Sequence, residues 1–385
     1  MRQELADRLG IERRADAADI WMRFFSVQNV SPASSQRTRK MMAVHIAAQD
    51  HCLTVECYCL SYRKILQKYE DFFPGHLRIY RRRVLEHRQG DFIMAFTLQI
   101  RQKKRFGKTV LDIPTLAHAC GLNYGSNNDF YILQENEQRQ GTAVLYNPGR
   151  IGRGIYFDGS NAREGYYEIS YNIPTTKAEI TDFARLAGEI ERRLGKAEMY
   201  CVEEERSFTG RELELGIEVF AGFSQKSLNQ FCGNKEFRSH ILTLARWPYT
   251  LTEDKVAAWE TCTDLSDFEQ TLHGLQAMDV YYAKPRLLQK NDTKEIGAFY
   301  ALTEECESVF PLRADGFLNL GELNVTEGFV QFVLYSEQRV LEGMFPYERF
   351  IEELGRYGIR QFDADHILIP PLTKSQLEEL AEKLR

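Results

Sequence analysis

The stretch from Gly165 to Thr209 constrains this chain most, because it carries a strand period and a helix period side by side. Tyr167, Ile169, Tyr171 and Ile173 alternate with Tyr166, Glu168, Ser170 and Asn172, the pattern of a strand with one buried face. Pro174 stops that strand. Thr176 and Glu179 then form a T-x-x-E capping box, and Ile180, Phe183, Ala184, Ala187, Ile190 and Leu194 recur at three- and four-residue steps. Arg192 and Arg193 stand in the last turn, where cations suit the negative end of the helix dipole, and Gly195 suits a left-handed exit. Met199 to Val202 returns as a strand. The expected class is α+β, with mixed or antiparallel sheets and helices packed on them.

Similar readings extend along the chain. Phe96, Leu98 and Ile100 alternate, a basic turn carries Gly107, and Val110, Leu111 and Ile113 come back, which predicts a hairpin. Pro114 to Cys120 reads as a short helix closed by Gly121, and Asn123 to Arg139 as polar turns. Strands are predicted at Thr142–Tyr146 and Gly154–Phe157, and a further short one within the acidic 210–222. From 223 to 278 the spacing is helical, which predicts a helical insert with Pro248 separating its helices. Strands follow at Val280–Ala283 and Ile296–Leu302. A second strand–helix–strand unit is read from Phe329–Tyr335, a helix opened by Pro346, and one strand over Ile359–Ile369. Thr373 and Gln376 cap a last helix presenting Leu377, Leu380 and Leu384. The expected divisions are 1–93, an α+β domain at 94–222, the insert at 223–278, and a second α+β domain at 279–385.

Charge separates the first of these pieces from the rest. Residues 1–93 hold 16 Lys and Arg against 11 Asp and Glu, a net of +5; the whole chain holds 49 against 55, so the remainder holds 33 against 44, a net of −11. Gln89-Gly90-Asp91 can be encoded with an AGGGAG ribosome-binding core just ahead of Met94. This gives the expectation that translation starts at Met94 and that 1–93 carry no selected fold. The competing reading is a small basic helical domain with helices at Leu5–Phe25 and Tyr62–Phe73. A net of −11 argues against a nucleic-acid partner for 94–385. No apolar run approaches the roughly 20 residues of a membrane span, and the eight scattered cysteines fit reduced thiols, so a cytoplasmic location is expected.

No stretch forms a recognisable reaction centre, and five groups of residues are candidates on their chemistry. Arg150, Gly152 and Arg153 in the GRIGRG loop would make an anion-binding nest, although a solvated hairpin loop is the favoured reading because a strand follows rather than a helix. Glu203 and Glu205, at a strand end, form a possible acidic cluster. Asp363, Asp365 and His366, read within one strand, fall on opposite faces and do not converge, which makes His366 a core histidine. His45, His51, Cys52, Cys57 and Cys59 lack paired metal-ligand spacing. His118 with Cys120, and Cys232 with His240, lack an orienting third group and read as buried inert thiols. No metal or cofactor is expected.

The stretches YNPGRIGRGIYFDGS, GYYEISYNIPTT, MYCVEEERSFTG, SLNQFCGNKE and ARWPYTLTE resemble an uncharacterised family of bacterial cytoplasmic proteins catalogued as a domain of unknown function. The resemblance covers about 94–385. It implies a bacterial source and a globular protein, and it transfers no catalytic residue. The expected role is that of a non-catalytic protein-binding or regulatory protein, with the 19 tyrosines suiting a protein partner. The alternative is an enzyme or binding protein for a small anionic metabolite, with Arg150 and Arg153 as clamps and Glu203 or Glu205 as base.

Overall fold

The computed structural model describes residues 95–103, 107–127, 130–290, 295–315 and 325–385, and before them only the backbone pairings of 11–12, 47–48 and 51–52. The expectations of a Met94 start, of helices at Leu5–Phe25 and Tyr62–Phe73, and for the side chains of the 45–59 histidine and cysteine group lie outside the described residues.

The larger sheet is antiparallel throughout and holds β1 (Ala95–Gln102), β2 (Asn123–Asn127), β3 (Leu133–Glu135), β4 (Thr142–Tyr146), β5 (Ile155–Asp158), β6 (Tyr166–Asn172), β7 (Ala197–Cys201) and β8 (Arg206–Phe208). Its spatial order is β8-β7-β1-β6-β5-β4-β2-β3. Both β6 and β7 run antiparallel to β1, with Leu98 opposite Ile169 on one side and Cys201 on the other. Hence β6 and β7 are parallel to each other with β1 between them. The helix that joins them is α2 (Lys177–Leu194). Its apolar stripe of Ile180, Phe183, Ala187 and Ile190 is buried in one core with Leu98, Ile100, Tyr167, Ile169 and Tyr171.

The expected hairpin of β1 with 110–113 does not form. The Gln102 side chain brackets Thr109 instead, donating to its carbonyl at 2.6 Å and accepting from its amide at 3.0 Å, so a side-chain amide stands where a strand partner was expected. Val110 is 62% exposed. Asp112 then caps α1 (Ile113–Ala119), which has Pro114 in its first turn. The 123–139 stretch, read as turns, contributes β2 and β3. No strand lies in 210–222: Thr209 and Glu212 make a complete capping box for α3 (Gly210–Leu215), and α4 (Ile217–Gly233) follows.

The region read as a helical insert is interrupted by a hairpin, β9 (Ile241–Thr243) with β10 (Pro248–Thr250), so Pro248 sits in a strand rather than between helices. Then come α5 (Glu253–Glu260) and α6 (Ser266–Gln276). These helices share the core of the large sheet, through Leu228, Trp259, Phe268 and Leu272.

A second core gathers residues from Ala283 to Leu384. Its strands are β11 (Tyr281–Tyr282), β12 (Arg286–Lys290), β13 (Ile296–Thr303), β14 (Ser308–Pro311), β15 (Val325–Leu334), β16 (Arg339–Val340) and β17 (Phe345–Pro346), followed by β18 (Arg360–Gln361) and β19 (His366–Ile369). They form two sheets. One joins β12, β13, β15 and β16, with β13 and β15 parallel, β17 also paired to β15 and 11–12 paired to β12, and the other has the order β11-β14-β19-β18. Helices α7 (Tyr347–Leu354) and α8 (Lys374–Leu384) pack on them, and α8 carries the Thr373–Gln376 capping box read from the sequence.

The single strand expected over 359–369 is two strands folded back on each other, with Arg360 opposite Leu368. Asp363 makes the turn: its Oδ1 accepts the amide of Asp365 at 2.8 Å, the local bond by which aspartate competes with a strand ladder. A small cluster of Trp247, Tyr282, Val309, Phe362 and Leu368 joins the hairpin of the first core to the strands of the second.

Candidate functional site

The loop from Asn147 to Gly154 links β4 to β5 and meets α2, α6 and the β9–β10 hairpin. Glu179 of α2, only 4% exposed, reaches into it: its Oε2 accepts the amide of Gly154 at 2.6 Å, and its Oε1 accepts the Thr175 hydroxyl. The capping box read for Thr176 and Glu179 is therefore half made. Thr176 Oγ1 accepts the Glu179 amide, but the carboxylate goes to the loop instead of back to the helix end. A Cβ at Gly152 would stand 2.6 Å from Glu179 Oε2, which is why that position has no side chain.

Arg153 is 7% exposed rather than solvated, as the hairpin reading had it. It donates to the carbonyls of Pro174 and Thr243, each at 3.0 Å, and to Thr243 Oγ1 at 3.2 Å. Burial pulls its guanidinium down to about 10 and pushes the Glu179 carboxyl up, so for both groups desolvation outweighs their mutual attraction. The acidic group inside the glycine–arginine loop is the chain's own Glu179. The outer side of the loop is tied to α6: His273 Nδ1 accepts the Ile151 amide at 3.2 Å, and Gln276 donates to the Gly152 carbonyl at 2.9 Å.

Arg150 points the other way. It lines a cleft of about 670 Å³ between the loop, the first turn of α2, α4 and the face of α6 that runs from Leu265 to His273. Of the charged groups there, Lys177 pairs with Glu218 at 2.6 Å, Glu269 accepts the Ala178 amide at 3.1 Å, and Asp264 accepts the Ser266 amide at 2.8 Å. The Arg150 side chain is 51% exposed and its ion-pair partner is Asp182, at 3.8 Å; that carboxylate is already met by Arg185 and by Asn147 Nδ2 at 3.0 Å. Because His273 Nδ1 accepts a backbone N–H, the proton of the neutral ring sits on Nε2, which makes the ring a donor.

The structure does not bring the sequence candidates together. Glu203 accepts the Thr97 amide at 2.8 Å, and Glu205 lies in the β7–β8 turn with φ +50°; neither they nor Arg153 line the cleft. His118 is exposed while Cys120 is buried, and burial pushes the thiols of Cys201 and Cys232 up to about 12. Asp363 and His366, read as facing apart, are joined by the turn: His366 Nδ1 lies 2.8 Å from Asp363 Oδ1 and Nε2 lies 3.0 Å from the Tyr282 hydroxyl. Asp363 Oδ2 also accepts the Thr250 amide at 3.1 Å. This relay is buried at the junction of the two cores, where it fastens them. Sequence reasoning missed His273, whose place on an amphipathic helix carries no signal beyond its ring.

Among the described residues, no group of three or more His, Cys, Asp or Glu is placed to hold a metal ion, and no helix is long and apolar enough to cross a membrane. The chain belongs to the family described as Domain of unknown function (DUF4299), which its residues 95–380 match. No curated protein and no solved structure matches it.

Proposed function

We propose that the cleft binds a small polar molecule through an anionic group held by Arg150 and the Nε2–H of His273, and that it does so without turnover. What carries this reading is the unequal engagement of the lining charges. Every carboxylate in the cleft has a donor from the chain itself, whereas Arg150 presents most of its five donors to open space. The volume suits a small molecule. Binding is favoured over catalysis because the one imidazole in the cleft is held as a donor and is no base while Ile151 occupies Nδ1. A protein-docking role has less support, since large exposed apolar side chains such as Val110, Leu215, Leu312 and Tyr335 stand on separate elements.

Thermal unfolding of the full chain with small carboxylates and with inorganic phosphate tests the proposal. A ligand at about 100 times its dissociation constant adds about 2.7 kcal/mol to the wild type. Arg150→Ala should abolish that gain. Gly222→Leu should abolish it as well, since a side chain there projects into the cleft and a Cβ at Gly222 meets nothing within 4 Å. An anion that stabilises all three proteins equally would refute the assignment.

A further inference from the structure

We infer that the ligand of this cleft is a zwitterion whose anionic end lies at Arg150 and whose cationic end lies at Asp264, an inference that rests on the binding proposed above. The lining holds two formal cations, Arg150 and Lys177, and three carboxylates, Glu218, Asp264 and Glu269, so with His273 neutral its net charge is −1. A cleft of that sign disfavours a dianion such as a phosphate ester, even though one strong cation is present. A simple cation fares no better, because it would face Arg150.

The charges are also sorted along α6. Arg150 and His273 gather at the last turn of that helix, brought together by the bond from the Ile151 amide. Asp264 stands at the opposite end, just before the first turn, and the seven helical steps from Ser266 to His273 span about 10 Å. Its Oδ1 is occupied by the Ser266 amide, and that bond holds the carboxyl below its ordinary range and so keeps it charged. The dipole of the α6 N-terminus is therefore already answered by Asp264 and does not call for a second anion. Along α6 between the poles stand Glu269, engaged by the Ala178 amide, and Gln270, while Ala221, Gly222 and the buried Leu265 give the lining an apolar part that suits methylene groups. The class that fits is an ω-amino carboxylate or a short peptide with free ends.

Isothermal titration of the full chain with 6-aminohexanoate, hexanoate, hexylammonium and inorganic phosphate tests the assignment. We expect 6-aminohexanoate to bind about two- to fivefold more tightly than hexanoate, the range of one exposed charge pair. Asp264→Asn keeps an oxygen for the Ser266 amide; it should bring 6-aminohexanoate down to the affinity of hexanoate and leave hexanoate unchanged. Equal binding of the two acids, tighter binding of phosphate or hexylammonium, or an Asp264→Asn protein that keeps the preference would overturn the zwitterion while leaving an anion site at Arg150. Failure of both acids to bind would instead overturn the proposed function and this inference with it.

Discussion

Gly152→Ala is the sharpest probe of how the glycine–arginine loop is held. The new methyl would lie 2.6 Å from Glu179 Oε2, 3.1 Å from its Cδ and 3.2 Å from Thr176 Oγ1. Something must move by more than half an ångström. If the carboxylate moves, it gives up the 2.6 Å bond from Gly154 and the bond from the Thr175 hydroxyl. If the loop moves, the Gly152 carbonyl gives up Gln276 at 2.9 Å and Ala245 at 3.2 Å. Either way a buried polar group loses a partner, at about 1–3 kcal/mol each, so the substitution should cost about 2–4 kcal/mol. Gly149→Ala is the control, because its methyl meets only Asn147 Oδ1 at 3.4 Å and should cost about 0.5 kcal/mol or less. Urea unfolding of the two variants, with the midpoint compared at constant slope, reads the difference. In a Glu179→Ala background the cost of Gly152→Ala should fall below about 1 kcal/mol, since the obstacle is gone. Equal costs for the two glycines, or a Gly152 cost that persists without Glu179, would refute the account.

The two arginines of that loop should separate: Arg150→Ala should change stability by no more than about 0.5 kcal/mol, while Arg153→Ala, which leaves the Pro174 and Thr243 carbonyls short of a donor, should cost about 2–4 kcal/mol in the same unfolding assay. Phe183→Ala should cost about 3–5 kcal/mol, because its ring packs edge-on to Tyr171 at 4.8 Å and to Phe96 at 5.7 Å in the core of the large sheet. Glu189→Ala should cost under about 1 kcal/mol near neutral pH. Hydrogen bonds from Arg192 and Arg193 hold the Glu189 carboxyl down to about 2, so its contribution is complete above the ordinary glutamate range and is lost as pH falls towards 2; the gap between wild type and Glu189→Ala should close over that interval in acid-unfolding curves. Asp363→Ala should cost about 3–5 kcal/mol, because it strands the Thr250 and Asp365 amides and the His366 ring together, whereas Tyr282→Phe removes the hydroxyl's bond with His366 Nε2 and its longer one, at 3.4 Å, to the Pro248 carbonyl and should cost about 1–2 kcal/mol; thermal unfolding that ranks them the other way would contradict the relay.

Where a side chain answers to its near neighbours in sequence, the chain is readable. The alternation of Tyr167, Ile169 and Tyr171 and the stripe of α2 follow from one buried face each, and Thr373–Gln376 behaves as its spacing predicts. The same signature at Thr209–Glu212 was available and would have placed α3 where a strand was expected. At Thr176–Glu179 it marked the helix start and the Thr176 cap but not where the carboxylate goes, because a loop 25 residues away competed for it and won it. Arg150 and Arg153 are indistinguishable by local pattern. Only carbonyls 21 and 90 residues distant decide that one is buried and the other lines a cleft. Asp363 and His366 fall on opposite faces if the backbone is extended and on one side if it turns, and a single bond to the Asp365 amide decides between these. Of the cleft, the sequence reading found Arg150. His273 and Asp264 enter it through the packing of α6 against the loop, which no periodicity records.

The place of β1 at the middle of the large sheet has a consequence for how the chain must be made. Its neighbours, β6 and β7, both lie downstream, and the far edge of β7 is emitted roughly 100 residues after β1 itself, which at synthesis rates of roughly 5–20 residues per second is on the order of 5–20 s. Until β6 is made, roughly 70 residues after β1, Phe96, Leu98 and Ile100 have no partner strand, and the β4–β5–β6 meander then exposes on β6 the edge that β1 will fill. A ribosome stalled before Asn172 therefore displays an apolar strand with nothing to pair with, the species that chaperones bind and that aggregates when they do not.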